Sequence, residues 1–257
     1  LDISRGSNGE RGIEVKVLIL GGNGYLGPHV VKALESKHEL RITDIKPPAV
    51  KSRHEFLTVD ISSLQQVRDA ARGMDAILNL SVLRNDRKLA FDVNTRGCYN
   101  MMVAAVENNI RRVINTGPHL VVSGPPSERY DFGIGPDNPP QPGTHLYGLS
   151  KSLGQEICRV FAMSHDLYVQ EYLFFSLLDM DKLTPGADAT PFSISWQDAG
   201  EVFRVGLDIE LTKLPSRCEI FFVFADMPHR KFINEKIVRV LGFRPKDDLS
   251  ILWHKPR

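Results

Sequence analysis

The segment VKVLILGGNGYLG, from Val15 to Gly27, constrains the fold of this chain more than any other. A short apolar run rich in Val, Leu and Ile ends in four glycines, and PHVVKALESKH, with a helical pattern, follows at once. A buried parallel strand that turns tightly into a helix presents free backbone N–H groups and the positive end of the helix dipole. Glycines at the turn let the chain reverse and let a pyrophosphate approach the backbone with no Cβ in the way. The spacing reads equally as Gly22-x-Gly24-x-x-Gly27 or Gly21-x-x-Gly24-x-x-Gly27. The glycines therefore predict a dinucleotide without choosing between dinucleotide-binding families.

An acidic residue stands where such a ligand needs one. ELRITDI suits a second strand with Asp44 near its end, about 20 residues beyond the glycines. A carboxylate there accepts hydrogen bonds from the adenosine ribose and repels a 2′-phosphate, which favours NAD over NADP. Lys46, two residues on, is a cation that could turn toward a phosphate.

Strand and helix patterns alternate from Val15 onward, predicting an α/β doubly wound parallel sheet with helices on both faces. HEFLTVDIS suits a third strand ending at Asp60 and Ile61, where the adenine edge would lie. Residues 74–81, MDAILNLS, suit a fourth strand that brings Leu80 and Ser81 toward the cofactor. AFDVNTRGCYNMMVAAVENN reads as one long helix, and RRVINTG as a fifth strand ending near Thr116. Residues 124–145 are crowded with Pro and Gly and read as a loop over a binding site. A second long helix spans about 146–165, and LYVQEYLFFSLL suits a sixth strand. The reading divides the chain into a flexible tail over 1–13, a nucleotide-binding domain over 14–180, and a small substrate lobe over 181–257 packed on the same core.

A formal net charge of +1 with both signs interspersed gives no electrostatic case for nucleic acid. No apolar run approaches the length of a membrane span, and the polar N-terminus lacks a signal peptide's apolar core. Cys98, Cys158 and Cys218 are widely spaced, without CxxC or His-rich surroundings. They read as reduced thiols of a cytoplasmic protein, not metal ligands.

Tyr147-Gly-Leu-Ser-Lys151 opens the second long helix. Residues i and i+4 share a helical face, so the ammonium is expected to lower the phenol pKa toward the range of acid–base catalysis. With this pair, GGNGYLG, Asp44, the VNTRGCYN segment with Asn94 and the later SISWQDAGEVF, the chain resembles the extended short-chain dehydrogenases/reductases, the NAD-dependent epimerase/dehydratase group. Within it the resemblance is strongest to uronate dehydrogenases, which share LYGLSK, a Trp-containing second-domain segment and an ending like LGFRPKDD.

The resemblance implies a Rossmann-like fold and NAD as cofactor, held by Gly21, Gly24, Tyr25, Leu26, Gly27, Asp44, Asp60, Ile61, Leu80, Ser81, Asn94, Tyr147 and Lys151. It implies Tyr147 as proton donor and acceptor, Lys151 on the nicotinamide ribose, and Asn94 supporting the site from its helix. It also implies a homodimer in which the helices near 91–108 and 147–164 pair as a four-helix bundle. The short C-terminal part suits a compact sugar or sugar-acid better than a nucleotide-sugar.

Two positions depart from the group. Its Ser or Thr after the fifth strand is replaced within Thr116-Gly-Pro-His119, leaving Thr116 or His119 to contact the substrate oxygen, with Ser123 beyond the matching position. Leu173 stands where many relatives carry an anion-binding Arg, so Arg84, Arg87 and Ser81 after the fourth strand become the candidates for substrate contact. The expected function is hydride transfer between NAD and a small sugar or uronate-like sugar-acid. The rivals are an epimerase or dehydratase that retains its NAD, and an NAD-binding sensor or partner-binding protein without turnover.

Overall fold

The computed structural model describes residues 14–48, 53–124, 132–184 and 186–254. The tail expected over 1–13 lies outside them, as does 125–131 of the Pro/Gly-rich loop. Nine strands are formed: β1 (Lys16–Leu20), β2 (Glu39–Asp44), β3 (Glu55–Thr58), β4 (Ala76–Asn79), β5 (Arg112–Pro118), β6 (Tyr168–Phe174), β7 (Ser176–Leu178), β8 (Ser193–Ser195) and β9 (Cys218–Phe222) among the described residues. The α-helices are α1 (Gly27–Leu34), α2 (Leu64–Ala70), α3 (Arg87–Phe91), α4 (Gly97–Glu107), α5 (Leu120–Ser123), α6 (Leu146–Ser164), α7 (Trp196–Asp208) and α8 (Glu235–Leu241).

Seven strands form one sheet in the order β3-β2-β1-β4-β5-β6-β9, with every pairing parallel. The order reverses between β1 and β4, and ligands of open parallel sheets bind beyond the strand ends at such a switch point. Both faces are covered, which is why the central strands read as near-continuous apolar runs. Val17 and Ile19 of β1 join Val30, Val202 and Phe203 of α1 and α7 in one core layer. Leu18 and Leu20 join Met101, Ala105 and Cys158 of α4 and α6 in the other. The residues after 180 return to this sheet, because β9 pairs along β6 and α7 packs on α1. The α1–α7 approach needs Gly200, where a Cβ would lie 2.5 Å from the His29 carbonyl oxygen. No described helix is long and apolar enough to cross a membrane.

Three boundaries differ from the sequence reading. The third strand ends at Thr58, so Asp60 and Ile61 lie in the turn beyond it, where the Asp60 carboxylate accepts from Ser62 N at 2.8 Å. The expected helix over 90–109 is α3, a π-helical turn (Asp92–Arg96) and α4 in unbroken succession. The expected sixth strand breaks at Phe175, and the remainder, β7, pairs with β8 in a separate two-stranded sheet.

Candidate functional site

The glycine turn is built so tightly that side chains are excluded. Gly21 has φ +75°, and a Cβ on it would lie 2.7 Å from Ser81 N, so it brings the ends of β1 and β4 together. A Cβ at Gly27 would lie 1.9 Å from the Gly22 carbonyl oxygen. Helix α1 then starts with no side-chain cap, no acidic residue in its first turn and a proline near its start. Gly27 N donates to Gly24 O at 3.2 Å and Pro28 carries no N–H, so what the turn offers a ligand is the uncapped positive end of the helix rather than a row of free N–H groups. Asp44 closes the other side: its Oδ2 accepts from Asn23 N at 3.0 Å and its Oδ1 from Ile45 N at 2.8 Å. This uncapped, Cβ-free cradle with a carboxylate at the end of β2 fits a dinucleotide.

A cavity of about 520 Å³ opens at the C-terminal edge of the sheet. Gly21, Gly24, Tyr25 and Leu26 of the turn line it, with Leu80, Val82 and Arg84 after β4 and Thr116, Gly117 and Pro118 of β5. Tyr147 and Lys151 of α6 form another wall, and Phe174, Phe175, Leu177 and Trp196 complete it. A smaller cavity of about 110 Å³ adjoins, lined by Gly21, Asp44, Asp60, Ile61, Leu80 and Ser81 among others. Gly21, Leu80 and Val82 line both cavities.

Lys151 is fully buried, and its Nζ donates to Ser81 O at 2.7 Å and Thr116 O at 2.9 Å, tying together the ends of β4 and β5. Burial pulls its pKa below the usual lysine range. Burial also pushes the Tyr147 phenol above its usual pKa, opposed by the Arg84 guanidinium, which lies 5.0 Å from the ring centroid. This corrects the expectation for the pair. The cation that opposes this rise is Arg84, while Lys151 Nζ donates to the two backbone carbonyls.

Other expected residues take different places. Asn94, in the π-helical turn, lines neither cavity. Its Nδ2 donates to Leu83 O at 2.7 Å and Ser150 Oγ at 3.0 Å, and its Oδ1 accepts from Leu83 N at 3.1 Å. It clamps the loop that carries Arg84 to helix α6. Gly27 shapes the turn without lining a cavity. The His119 ring is also absent from both linings, packed 4.5 Å from Phe175, 4.8 Å from Phe192 and 5.4 Å from Phe232. Burial there lowers its pKa to about 4, so the ring is neutral and braces the cavity wall from behind. Thr116 lines the larger cavity, with its hydroxyl donated to Asn79 O at 2.8 Å. Arg87 heads α3 and lines neither cavity, which leaves Arg84 as the arginine of the site among the described residues. Ser123 donates to His119 O at 3.2 Å, within α5 and away from both linings.

The sequence reading missed Phe174, Phe175, Leu177 and Trp196. The usable signal was the aromatic pair at a strand end, where a half-exposed Phe175 has no core to fill.

The comparisons agree with this fold. A model of the NAD dependent epimerase/dehydratase family matches residues 17–177. The NAD-dependent glucose-6-phosphate dehydrogenase of Haloferax volcanii is 22% identical over 258 aligned positions, covering 90% of this chain and 93% of the relative. Among solved structures, a mutated uronate dehydrogenase superposes with TM-score 0.78 at 20% identity, covering 93% of this chain and 84% of the other. A mutant uronate dehydrogenase from Agrobacterium tumefaciens, complexed with NAD, gives TM-score 0.76 at 19% identity, covering 95% and 92%. These superpositions show a Rossmann-like fold shared with those enzymes. Since the family match runs over more than half of its length, the chain belongs to the NAD dependent epimerase/dehydratase family and is an NAD-dependent enzyme of that dehydrogenase and epimerase kind.

Proposed function

We propose that this protein is a dehydrogenase that oxidises or reduces a small sugar or uronate-like sugar-acid, with Tyr147 as general acid and base. The observation that carries the reading is convergence. Tyr147, Lys151 and Arg84 meet on the same cavity that the glycine turn lines, at the switch point of the sheet. The turn and Asp44 would hold the dinucleotide, Lys151 its nicotinamide ribose, and Thr116 the floor beneath. NAD, when bound, supplies the hydride acceptor that oxidation needs.

Each side chain has a distinct task. Tyr147, protonated at neutral pH in its buried setting, gives its proton to a substrate carbonyl in reduction and takes one from a hydroxyl in oxidation. Arg84, beside the phenol, holds an anionic substrate group and favours the phenolate that oxidation needs. Phe175, Leu177 and Trp196 exclude water around them. The same reading carries a homodimer, supported by Tyr99 on α4 and Leu153, Val160 and Met163 on α6, all exposed apolar side chains.

The test is NAD-linked turnover on hexuronates, aldoses and small hydroxy acids, followed by NADH absorbance, with Tyr147→Phe beside wild type. Turnover that the variant loses supports the reading. Sugar interconversion without net NADH would make the enzyme an epimerase. NADH binding with no conversion of any sugar would leave a cofactor-binding protein.

A further inference from the structure

The middle of the sheet holds a row of polar side chains that its burial does not favour. Asn79 of β4, Asn115 of β5 and Glu171 of β6 stand in register across three parallel strands. All three are buried, on the face that packs against α4 and α6, where the neighbouring positions are apolar. Burying polar groups in such a layer is costly unless each is hydrogen-bonded, and burying a carboxyl costs more. A row like this needs a reason.

The hydrogen bonds run in one direction. Ser81 N donates to Asn79 Oδ1 at 3.1 Å, Asn79 Nδ2 to Asn115 Oδ1 at 2.8 Å, and Asn115 Nδ2 to Glu171 Oε2 at 2.8 Å. Each amide accepts on one side and donates on the other, so the chain ends on a group that can accept. The carbonyl oxygen of the same Ser81 receives Lys151 Nζ, and Thr116, which bonds Asn79 O, offers its own carbonyl to Lys151. The polar row therefore begins at the backbone that Lys151 grips and ends on the Glu171 carboxyl.

Lys151 has no carboxylate among the hydrogen-bond partners of its ammonium. Glu171 is the carboxylate whose field favours its charged form, and the field of Lys151 in turn favours the ionised Glu171. The groups facing that carboxyl are Asn115 of β5, Lys151 and Cys158 of α6, and Cys218 of β9, while Cys98 of α4 reaches Asn115. Lys151 is the one cation in the set.

We propose that Glu171 is the counter-ion of Lys151 and a positioning residue for the candidate site, holding the ammonium charged through the floor of the sheet and, through Asn115 and Asn79, fixing the Ser81 backbone that Lys151 grips. This rests on the reading of Lys151 as a cofactor-holding residue only for its functional consequence. The burial of the carboxyl, which raises its pKa to about 7, places the charge change near neutral pH. Above that pH Lys151 has its counter-charge; below it, the ammonium is held by backbone carbonyls alone.

Glu171→Gln tests this, since the amide oxygen can still accept from Asn115 while the charge is gone. Lysine side-chain NMR on the full chain, labelled at Lys Cε and with the Lys151 signal assigned by its loss in Lys151→Met, reads the ammonium directly. The Lys151 midpoint falls by about one pH unit or more in Glu171→Gln, a tenfold loss of proton affinity. The wild-type signal carries a second inflection near pH 7, which the variant lacks. Should Glu171→Gln fail to fold, that wild-type inflection decides alone. NADH fluorescence titration gives the functional arm: binding weakens about tenfold at pH 8 in the variant and little at pH 5.5, where wild-type Glu171 is already neutral. Equal Lys151 midpoints without a second inflection would overturn the proposal, as would an NADH deficit of equal size at both pH values, the mark of a merely structural residue. If neither protein binds NADH, the cofactor reading of Lys151 fails, and the lysine titration still decides on the counter-ion.

Discussion

Burial keeps the Tyr147 phenol protonated beyond neutral pH, and Arg84 is the group that pulls the other way. Oxidation requires the phenolate, so its kcat/KM should rise with pH into the alkaline range. Arg84→Ala should shift that limb to higher pH and lower kcat/KM for a carboxylate-bearing substrate by about 10- to 100-fold, the usual worth of a hydrogen bond to a charged group. Parallel pH profiles of the two proteins check both effects. Tyr147→Phe should cost about 10²- to 10⁴-fold in kcat with NADH affinity retained, as removal of a general acid does. A loss of NADH affinity equal to the loss in rate would instead make Tyr147 a binding residue.

At the scale of elements, the site depends on how closely α6 lies against the π-helical turn. A Cβ at Gly154 would sit 2.3 Å from Asn94 O and 2.8 Å from Cys98 Sγ, so this crossing admits no side chain. Gly154→Ala should destabilise by about 1–3 kcal/mol, the ordinary cost of overpacking, in urea unfolding. Asn94→Ala acts on the same junction differently. It leaves the Leu83 N–H and C=O without their partners and frees the loop that carries Arg84, for about 1–3 kcal/mol of stability. Its KM for an anionic substrate should rise while the pH profile keeps its shape, because Tyr147 and Arg84 remain.

For the whole molecule, acid should loosen the core through His119. Its folded pKa of about 4 lies below the unfolded value of 6.5, so the unfolded chain binds the extra proton between those limits. The associated stability is complete above pH 6.5 and is lost as pH falls toward 4, amounting to about 3 kcal/mol at about 1.4 kcal/mol per pH unit. Glu171 has the opposite sign: its folded pKa of about 7 exceeds the unfolded 4.5, so its contribution is complete below 4.5 and is lost as pH rises through 7. His119→Phe should therefore flatten the acid-side fall in Tm and leave the limb above pH 6.5 as it is. The proposed dimer makes its own demand. Leu153→Glu and Val160→Glu together, on exposed positions of α6, should give a monomer in sedimentation while the monomer keeps its far-UV spectrum.

The alternation of strand and helix, the glycine turn with Asp44 and the Tyr147–Lys151 spacing were all legible in the amino-acid sequence, because each rests on local periodicity or on steric exclusion of a Cβ. Those features sufficed for the parallel sheet, the dinucleotide cradle and the family. Tertiary structure alone decided that Arg84 lies against the Tyr147 ring, and that Asn94 clamps a loop. It also placed His119 behind the cavity wall. A side chain's partner depends on which strand ends and helices come together around it, and sequence spacing does not carry that. The polar row is the sharpest case. Asn79, Asn115 and Glu171 lie in three segments far apart along the chain, and only the register of β4, β5 and β6 aligns them. Glu171 carries no local signal in YVQEYLF, and its meaning required the lysine that helix α6 brings to that face of the sheet.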